Sequence, residues 1–575
     1  MPKKQVQICV IPGESRYDWL QLAADSFARL QRLLGRDAYF SVCQNEFTRV
    51  FKISADEDCN PTDSSSVVSH LLKRLQQAGA VYKQVTACNL CQDCGRPQRG
   101  SSCICGGQTV RAEGVEGYFF RSEAQAQAIM ELVNDPSIVM PGYQRQDLVN
   151  SFTNKNIEDV LVAVRSGVGR DLQPSLWLQR LAQVLGNSGF PGDEGSFSRL
   201  WTETYVFIPR ELAETIYNWC GIISALALPA PGGLICHSPL EIADNKGQDV
   251  SPILLAQNYG TESLRYFLLG MKMTAGENTF TEEQVIQQIN LDLANELGNL
   301  VSRIISLVTR FSQGVIPRPD ILTRQTGDLD LRESALATPG KIEAYIHEQE
   351  LHLAVKAIKD LIGQANRFIE ATMPWQLASS PQEQPRLNTV LYNLCEVLRF
   401  LAVCLKPLLP EAAANILQQM GLADSLSSWN SLRQWGLVPV NTRVTEQPAL
   451  FPRIVPGYGE LGPEPDLVMR EELARIRMVV ARVVSAEPVA DYDGLLQLVL
   501  YDGRQRRRVL APVAHSHNAD HLSGRKVIMV SNLNPVEVGG AFAEGEVVIL
   551  ESGGNLELVF VDDEVAEGSK VLCLS

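Results

Sequence analysis

Cys91, Cys94, Cys103 and Cys105 run as C-x2-C followed by C-x-C. Four thiolates suffice to close a tetrahedral zinc site, and Gly95, Gly106 and Gly107 allow tight turns beside them. C-x-C is the less common zinc spacing, Cys88 could replace one ligand, and a loop of plain thiols is the alternative reading. With sulfur in every position such a zinc is structural, with no open coordination for catalysis. Asn299 and Arg303 lie one turn apart on a helix face, and Trp375 follows Pro374 just beyond the end of another helix. By themselves these read as a solvated face and a core anchor. Residues 240–252, LEIADNKGQDVSP, follow an apolar run, contain a glycine turn and precede a helix-like segment, which is where a phosphate-handling loop would sit. Yet the stretch carries Glu241 and Asp244 against the single Lys246.

The elements that must position these residues follow from apolar periodicity. QVQICVI (5–11) reads as a buried strand, followed by a Pro-Gly turn, the amphipathic helix WLQLAADSFARLQRLLG closed by Gly35, and the strand AYFSVC. Strand, helix, strand at this length is a βαβ unit, so the N-terminal region, 1–258, is expected to be doubly wound α/β. The cysteine cluster interrupts it as an insertion over residues 80–170. From 259 to 436 the pattern is almost all helical. Thr281 and Gln284 form a capping box, and Val285, Ile286, Ile289, Leu293, Leu297, Leu300 and Ile304 hold one apolar face. LHLAVKAIKDLIGQANRFIEA is a second helix that must stop before Met373-Pro374. Residues 437–466 are a Pro- and Gly-rich linker, and 467–575 contain short Val-rich alternating runs that predict a small β-barrel.

A chain of 575 residues exceeds one hydrophobic core. Its 45% hydrophobic and 20% charged content is that of an ordinary globular protein, with no window near the roughly 18 apolar residues of a membrane helix. A cytoplasmic location is expected, where a cluster of five among 13 cysteines signals metal more than disulfides. The net charge of −15 excludes a generally basic coat, so nucleic acid must be met by local patches.

CQDCGRP, GYFFRSEAQAQ, YGTESLRYFLL, DLANELGNLVSRI and ATMPWQLA, in that order, resemble bacterial methionyl-tRNA synthetases, and the resemblance extends over essentially the whole chain. It implies a Rossmann-type domain with a zinc-knuckle insertion, an all-α anticodon-binding domain and a C-terminal OB-fold. It also implies that Asn299, Arg303 and Trp375 read a CAU anticodon, a flipped base stacking on the indole while Asn and Arg bond base edges.

The catalytic motifs depart from the family. The HIGH position reads Glu14-Ser15-Arg16-Tyr17, in a register fixed by Ala23-Ala24-Asp25. The KMSKS position reads Glu241-Ile242-Ala243-Asp244-Asn245, fixed by Lys246-Gly247 and Pro252. DEHG reads Asn45-Glu46-Phe47-Thr48, and D-A-x-x-x-Y reads Gln179 to Val184. Acids in place of the loop lysines repel a triphosphate instead of stabilising it, so ATP binding and methionine activation are expected to be lost.

The barrel has more acids than bases; Arg504, Arg506, Arg507 and Arg508, with Arg525 and Lys526, are its candidates for the tRNA backbone. In the family this module also dimerises, and a homodimer is the corresponding expectation. His515, His517 and His521 read as a solvated loop. The expected function is that of a non-catalytic binder of CAU-anticodon tRNA. The alternatives are a regulatory subunit of an active synthetase or other protein, and a synthetase-like enzyme of altered substrate, with Arg16 and Arg165 in its favour.

Overall fold

The computed structural model describes residues 4–11, 18–42, 45–58, 64–98, 103, 107–154, 157–165, 172–244, 247–276, 278–422, 424–454, 476–489, 494–514, 516–533, 536–538, 541–552 and 555–571. The chain divides into two compact units. Met1–Ala256, Thr261–Val285 and Arg303–Thr445 form one; Gln257–Gly260, Ile286–Ser302 and Glu446–Ser575 form the other.

The first unit is built on a six-stranded sheet of β1 (Gln5–Val10), β2 (Asp37–Val42), β3 (Glu57–Asp58), β4 (Val139–Met140), β5 (Thr204–Pro209) and β6 (Gly233–His237). Every pairing is parallel, in the order β3-β2-β1-β5-β6-β4. The central strands are continuous apolar runs because both faces are covered: all of β5 and β6 is buried. The order reverses between β1 and β5, and in such sheets the crevice outside the carboxyl ends of the strands at this point is the usual ligand site. The helix Trp19–Leu33 seats Leu22, Ala23, Phe27 and Leu30 in the core, and Gly35, at φ +77°, closes it as its sequence predicts. The insertion is a separate antiparallel sheet ordered Pro97–Gln98, Val81–Cys91, Thr109–Phe120, Val160–Arg165, Leu172–Pro174.

Helices follow. Thr281 and Gln284 form the expected capping box, with the Gln284 amide on the Thr281 hydroxyl at 3.2 Å and the Thr281 amide on Gln284 Oε1 at 2.9 Å. All seven residues of the expected apolar face, from Val285 to Ile304, are buried. The run is not one α-helix, however: α-turns over Glu282–Ile289 give way to a π-helical stretch, Asn290–Gly298, before Asn299–Ser312. The first unit continues with Thr326–His347, Leu351–Thr372, Gln384–Leu405 and Pro410–Gln419. Gln384–Leu405 belongs to the single described segment long and apolar enough to cross a membrane, Pro381–Leu405, and its apolar window is 94% buried, as in a core helix.

One buried arginine braces this unit. Arg265 Nε donates to the Leu408 carbonyl (2.9 Å), Nη1 to the Phe51 carbonyl (3.0 Å) and Nη2 to Asp25 Oδ2 (2.7 Å). Burial opposes the charge on Asp25, yet Arg265 and Arg29 hold its carboxyl below the usual range.

The second unit contains a nearly closed β-barrel. Arg506–Ala511, Leu496–Tyr501, Met478–Pro488, Lys526–Val530 and Glu546–Val547 pair in that order. The Glu544 amide returns to the Arg508 carbonyl at 2.7 Å, drawing the last strand towards the first. Val483, Leu498, Leu500, Val509, Val527 and Met529 fill its interior.

Candidate functional site

The HIGH position, Glu14 to Tyr17, lies outside the described residues, but its surroundings at the carboxyl ends of β1 and β6 are described. Trp19 Nε1 donates to the Ser238 carbonyl at 3.1 Å, and its ring meets His237 edge-on at 4.8 Å. The Gln144 amide reaches the Ser238 hydroxyl. His237 ends β6 and is wholly enclosed; burial pushes its pKa down to about 4, so the imidazole is neutral at pH 7. His237 Nε2 faces the Gln349 amide oxygen at 3.5 Å, which can only accept, so this nitrogen carries the proton. Nδ1 then accepts from the Tyr143 hydroxyl at 3.3 Å. Among the described residues, His237, Tyr143, Gln144, Ser238 and Gln349 form a neutral constellation. Sequence reasoning missed it; the one available signal is a histidine closing the apolar run GLICH.

The signature-loop position is a tight turn. Leu240–Ala243 is a strand paired in parallel with Asn278–Thr281, and Ile242 is buried. The Asp244 amide donates to the Gln248 carbonyl, Asp244 Oδ1 accepts the Gln248 amide (both 2.8 Å), and Gly247 turns the chain at φ +75°. Asp244 thus holds its own loop, where the family resemblance implies an ammonium; Asn245 and Lys246 lie outside the described residues. At the DEHG position a short helix, Glu46–Val50, begins. Asn45 and Thr48 form a reciprocal cap at 2.9 Å, and Phe47 stacks on Phe51 at 4.2 Å. In the D-A-x-x-x-Y position, Leu181, Ala182 and Val184 are buried in the helix Leu176–Asn187.

At the tip of the inserted sheet the sulfurs of Cys91, Cys94 and Cys103 all lie within 4.8 Å of one another. Cys94 and Cys103 are 3.6 Å apart, and the Gln98 amide approaches Cys103 Sγ at 3.2 Å. Gly95 turns at φ +69°, and a Cβ on Gly107 would stand 2.7 Å from Cys91 Sγ, so both glycines are required for this gathering. Cys105 lies outside the described residues, and Cys88 is not one of the clustered three.

Arg303 and Trp375 come together across the helical region, the guanidinium carbon 5.5 Å from the indole centroid. This is within cation–π range, and Trp375 remains 41% exposed. Asn299 is exposed one turn earlier on the helix Asn299–Ser312, in the stretch assigned to the second unit. Met373 stands two residues before Trp375. The helix Leu351–Thr372 stops there as expected, but the residue preceding the proline is left-handed, φ +43°, ψ +61°, instead of extended. It serves as both the end of that helix and the start of Pro374–Leu377. In the barrel, Arg504, Arg506 and Arg508 are exposed. Arg507 Nε is bonded to Asp502 (3.1 Å), Arg525 lies 4.0 Å over Phe560, and Lys526 Nζ holds the carbonyls of Asp563 and Val565 (2.6 and 2.8 Å). Three of the six candidates therefore serve the barrel itself.

The family described as "tRNA synthetases class I (M)" matches residues 78–305, and "Putative tRNA binding domain" matches 478–570. The methionine–tRNA ligase of Caldanaerobacter subterraneus subsp. tengcongensis is 28% identical over 96% of this chain and 97% of its own length. That of Halalkalibacterium halodurans is 30% identical over 81% of this chain and 76% of its own. The fold is shared with the apo methionyl-tRNA synthetase of Mycobacterium tuberculosis, with TM-score 0.68, 23% identity, and 79% of this chain and 99% of that one covered. From its first strand to its barrel, the chain belongs to the methionyl-tRNA synthetase family.

Proposed function

We propose that this protein is a non-catalytic tRNA-binding member of the family, recognising CAU-anticodon tRNA through Asn299, Arg303 and Trp375. The observation that carries the reading is a contrast. The Arg303–Trp375 platform is assembled and exposed, whereas Asp244 stands, tied to its own turn, where a triphosphate would need cations. Carboxylates near a triphosphate raise the cost of binding, and Glu241 and Asp244 stand where preorganised positive charge would stabilise a leaving pyrophosphate. ATP is accordingly not a cofactor. The C-terminal barrel is an OB-fold whose exposed Arg504, Arg506 and Arg508 meet the tRNA backbone, and it provides a contact for a homodimer. Cys91, Cys94 and Cys103, with Cys105, hold a structural zinc; three clustered thiols and a glycine-lined loop suit that ion.

Equilibrium binding to CAU-anticodon tRNA at fixed salt tests this, against an anticodon-changed tRNA and Trp375→Ala. Each change should weaken binding by about 1–3 kcal/mol, the worth of one base stacked on an aromatic ring. Three coincident curves would exclude the anticodon reading. An active ligase is the second reading, favoured by the names of relatives that match nearly the full chain. Methionine-dependent ATP–pyrophosphate exchange well above background would establish it and end the non-catalytic proposal.

A further inference from the structure

Met373 is one of the few non-glycine residues of the described chain with positive φ. Left-handed backbone disfavours L-residues with a Cβ, and the residue before a proline is pushed towards extended backbone as well. Met373 nevertheless occupies that region, between two helices with no other linker. Its N–H donates to the Ile369 carbonyl at 3.0 Å and completes the helix Leu351–Thr372. Its own carbonyl accepts the Gln376 amide at 2.8 Å and the Leu377 amide at 3.3 Å, starting the next turn. Pro374 is buried in that turn, and Trp375 projects from it, exposed, against Arg303. A sparsely populated conformation held at a single joint beside an exposed aromatic is the arrangement in which strain serves positioning. The Met373 side chain, 38% exposed, has little part in holding the joint.

We infer that Met373 is a positioning residue for tRNA recognition: its left-handed backbone, not its thioether, sets Trp375 against Arg303 and so presents the indole to the anticodon base. This rests on the anticodon-reading function proposed above. The joint is a one-residue pivot. A residue at home in left-handed backbone preserves it, while a β-branched residue, for which that region is a genuine outlier, moves the local chain elsewhere and takes the indole with it.

The test is a double-mutant cycle on the full chain, read as the Kd for CAU-anticodon tRNA at fixed salt, with thermal melts of every variant. Met373→Gly and Met373→Asn should bind within about twofold of wild type although both delete the thioether. Met373→Val should weaken binding on the order of tenfold, in line with the cost of a strained joint. In a Trp375→Ala background Met373→Val should add nothing, because residues acting through one another are non-additive. Should the valine variant melt early, Met373→Thr, smaller and equally β-branched, takes its place. Wild-type binding by Met373→Val, wild-type losses multiplied in the double variant, or losses in Met373→Gly and Met373→Asn as large as in Trp375→Ala would each overturn the inference while leaving the anticodon reading standing. If Trp375→Ala itself binds like wild type, the anticodon reading fails and the pivot has no task.

Discussion

His237 shows how a single side chain can carry the character of the crevice around it. Its folded pKa of about 4 lies below the ordinary 6.5, so on acidification the unfolded chain takes up a proton first. Its contribution to stability is therefore complete above the unfolded value and lost as pH falls towards 4. Between pH 7 and 5 the loss is about 2 kcal/mol. The unfolding free energies from urea titrations at those two pH values should differ by about 2 kcal/mol less in His237→Gln; an undiminished difference would exclude a neutral, enclosed imidazole. Beyond its place at the end of the apolar run GLICH, nothing in the sequence marks His237, because its partners Tyr143 and Gln349 are distant along the chain and meet it only through the fold. Asn299, Arg303 and Trp375 stand in short local patterns, an N-x3-R spacing and a Pro-Trp pair, and it is the family resemblance that attaches an anticodon role to them. Even there, the pairing of Arg303 with Trp375 came from the structure.

Among elements, those written in local periodicity were legible. The strand–helix–strand opening, the Thr281–Gln284 box and the buried face from Val285 to Ile304 all depend on neighbours within one or two turns. The π-helical stretch and the left-handed Met373 were not, since no residue type there demands either geometry. The barrel's basic run shows a similar limit: composition marks six cations, and only packing tells which are occupied. Arg507→Ala removes the Arg507 donor from Asp502 Oδ2, while Oδ1 keeps the Arg504 and Gln505 amides, and should lower barrel stability by about 1–3 kcal/mol, the worth of a hydrogen bond to a charged group. Its effect on tRNA affinity should be small. A joint Arg504→Ala, Arg506→Ala variant should instead leave the melt unchanged and reduce the slope of log affinity against log salt by about one to two. An unaltered slope would remove the barrel from the tRNA interface. Cys94→Ser should reduce bound zinc, read by chelator release and atomic absorption, from one per chain to near zero; equal zinc in both proteins would place the ion elsewhere.

For the molecule as a whole, a net charge of −15 sets long-range repulsion against tRNA, so affinity must come from a few specific contacts and should fall steeply when any is lost. The α/β region, the helical region and the barrel could be anticipated from shifts in periodicity along the chain, whereas the antiparallel sheet of the insertion could not. The division into compact units could not, because the stretch 286–302 is grouped with the barrel only by contacts in space. Arg265 has a wider consequence. Its guanidinium, 1% exposed, ties the first helix, the Phe51 segment and the Leu408 turn together through one buried charge. Breaking a buried pair by removing one partner costs about 3–5 kcal/mol, a large share of what holds any domain folded. In a living cell, then, inherited change at Arg265 would surface as scarcity: the protein would be cleared by quality control before its choice of tRNA was ever exercised.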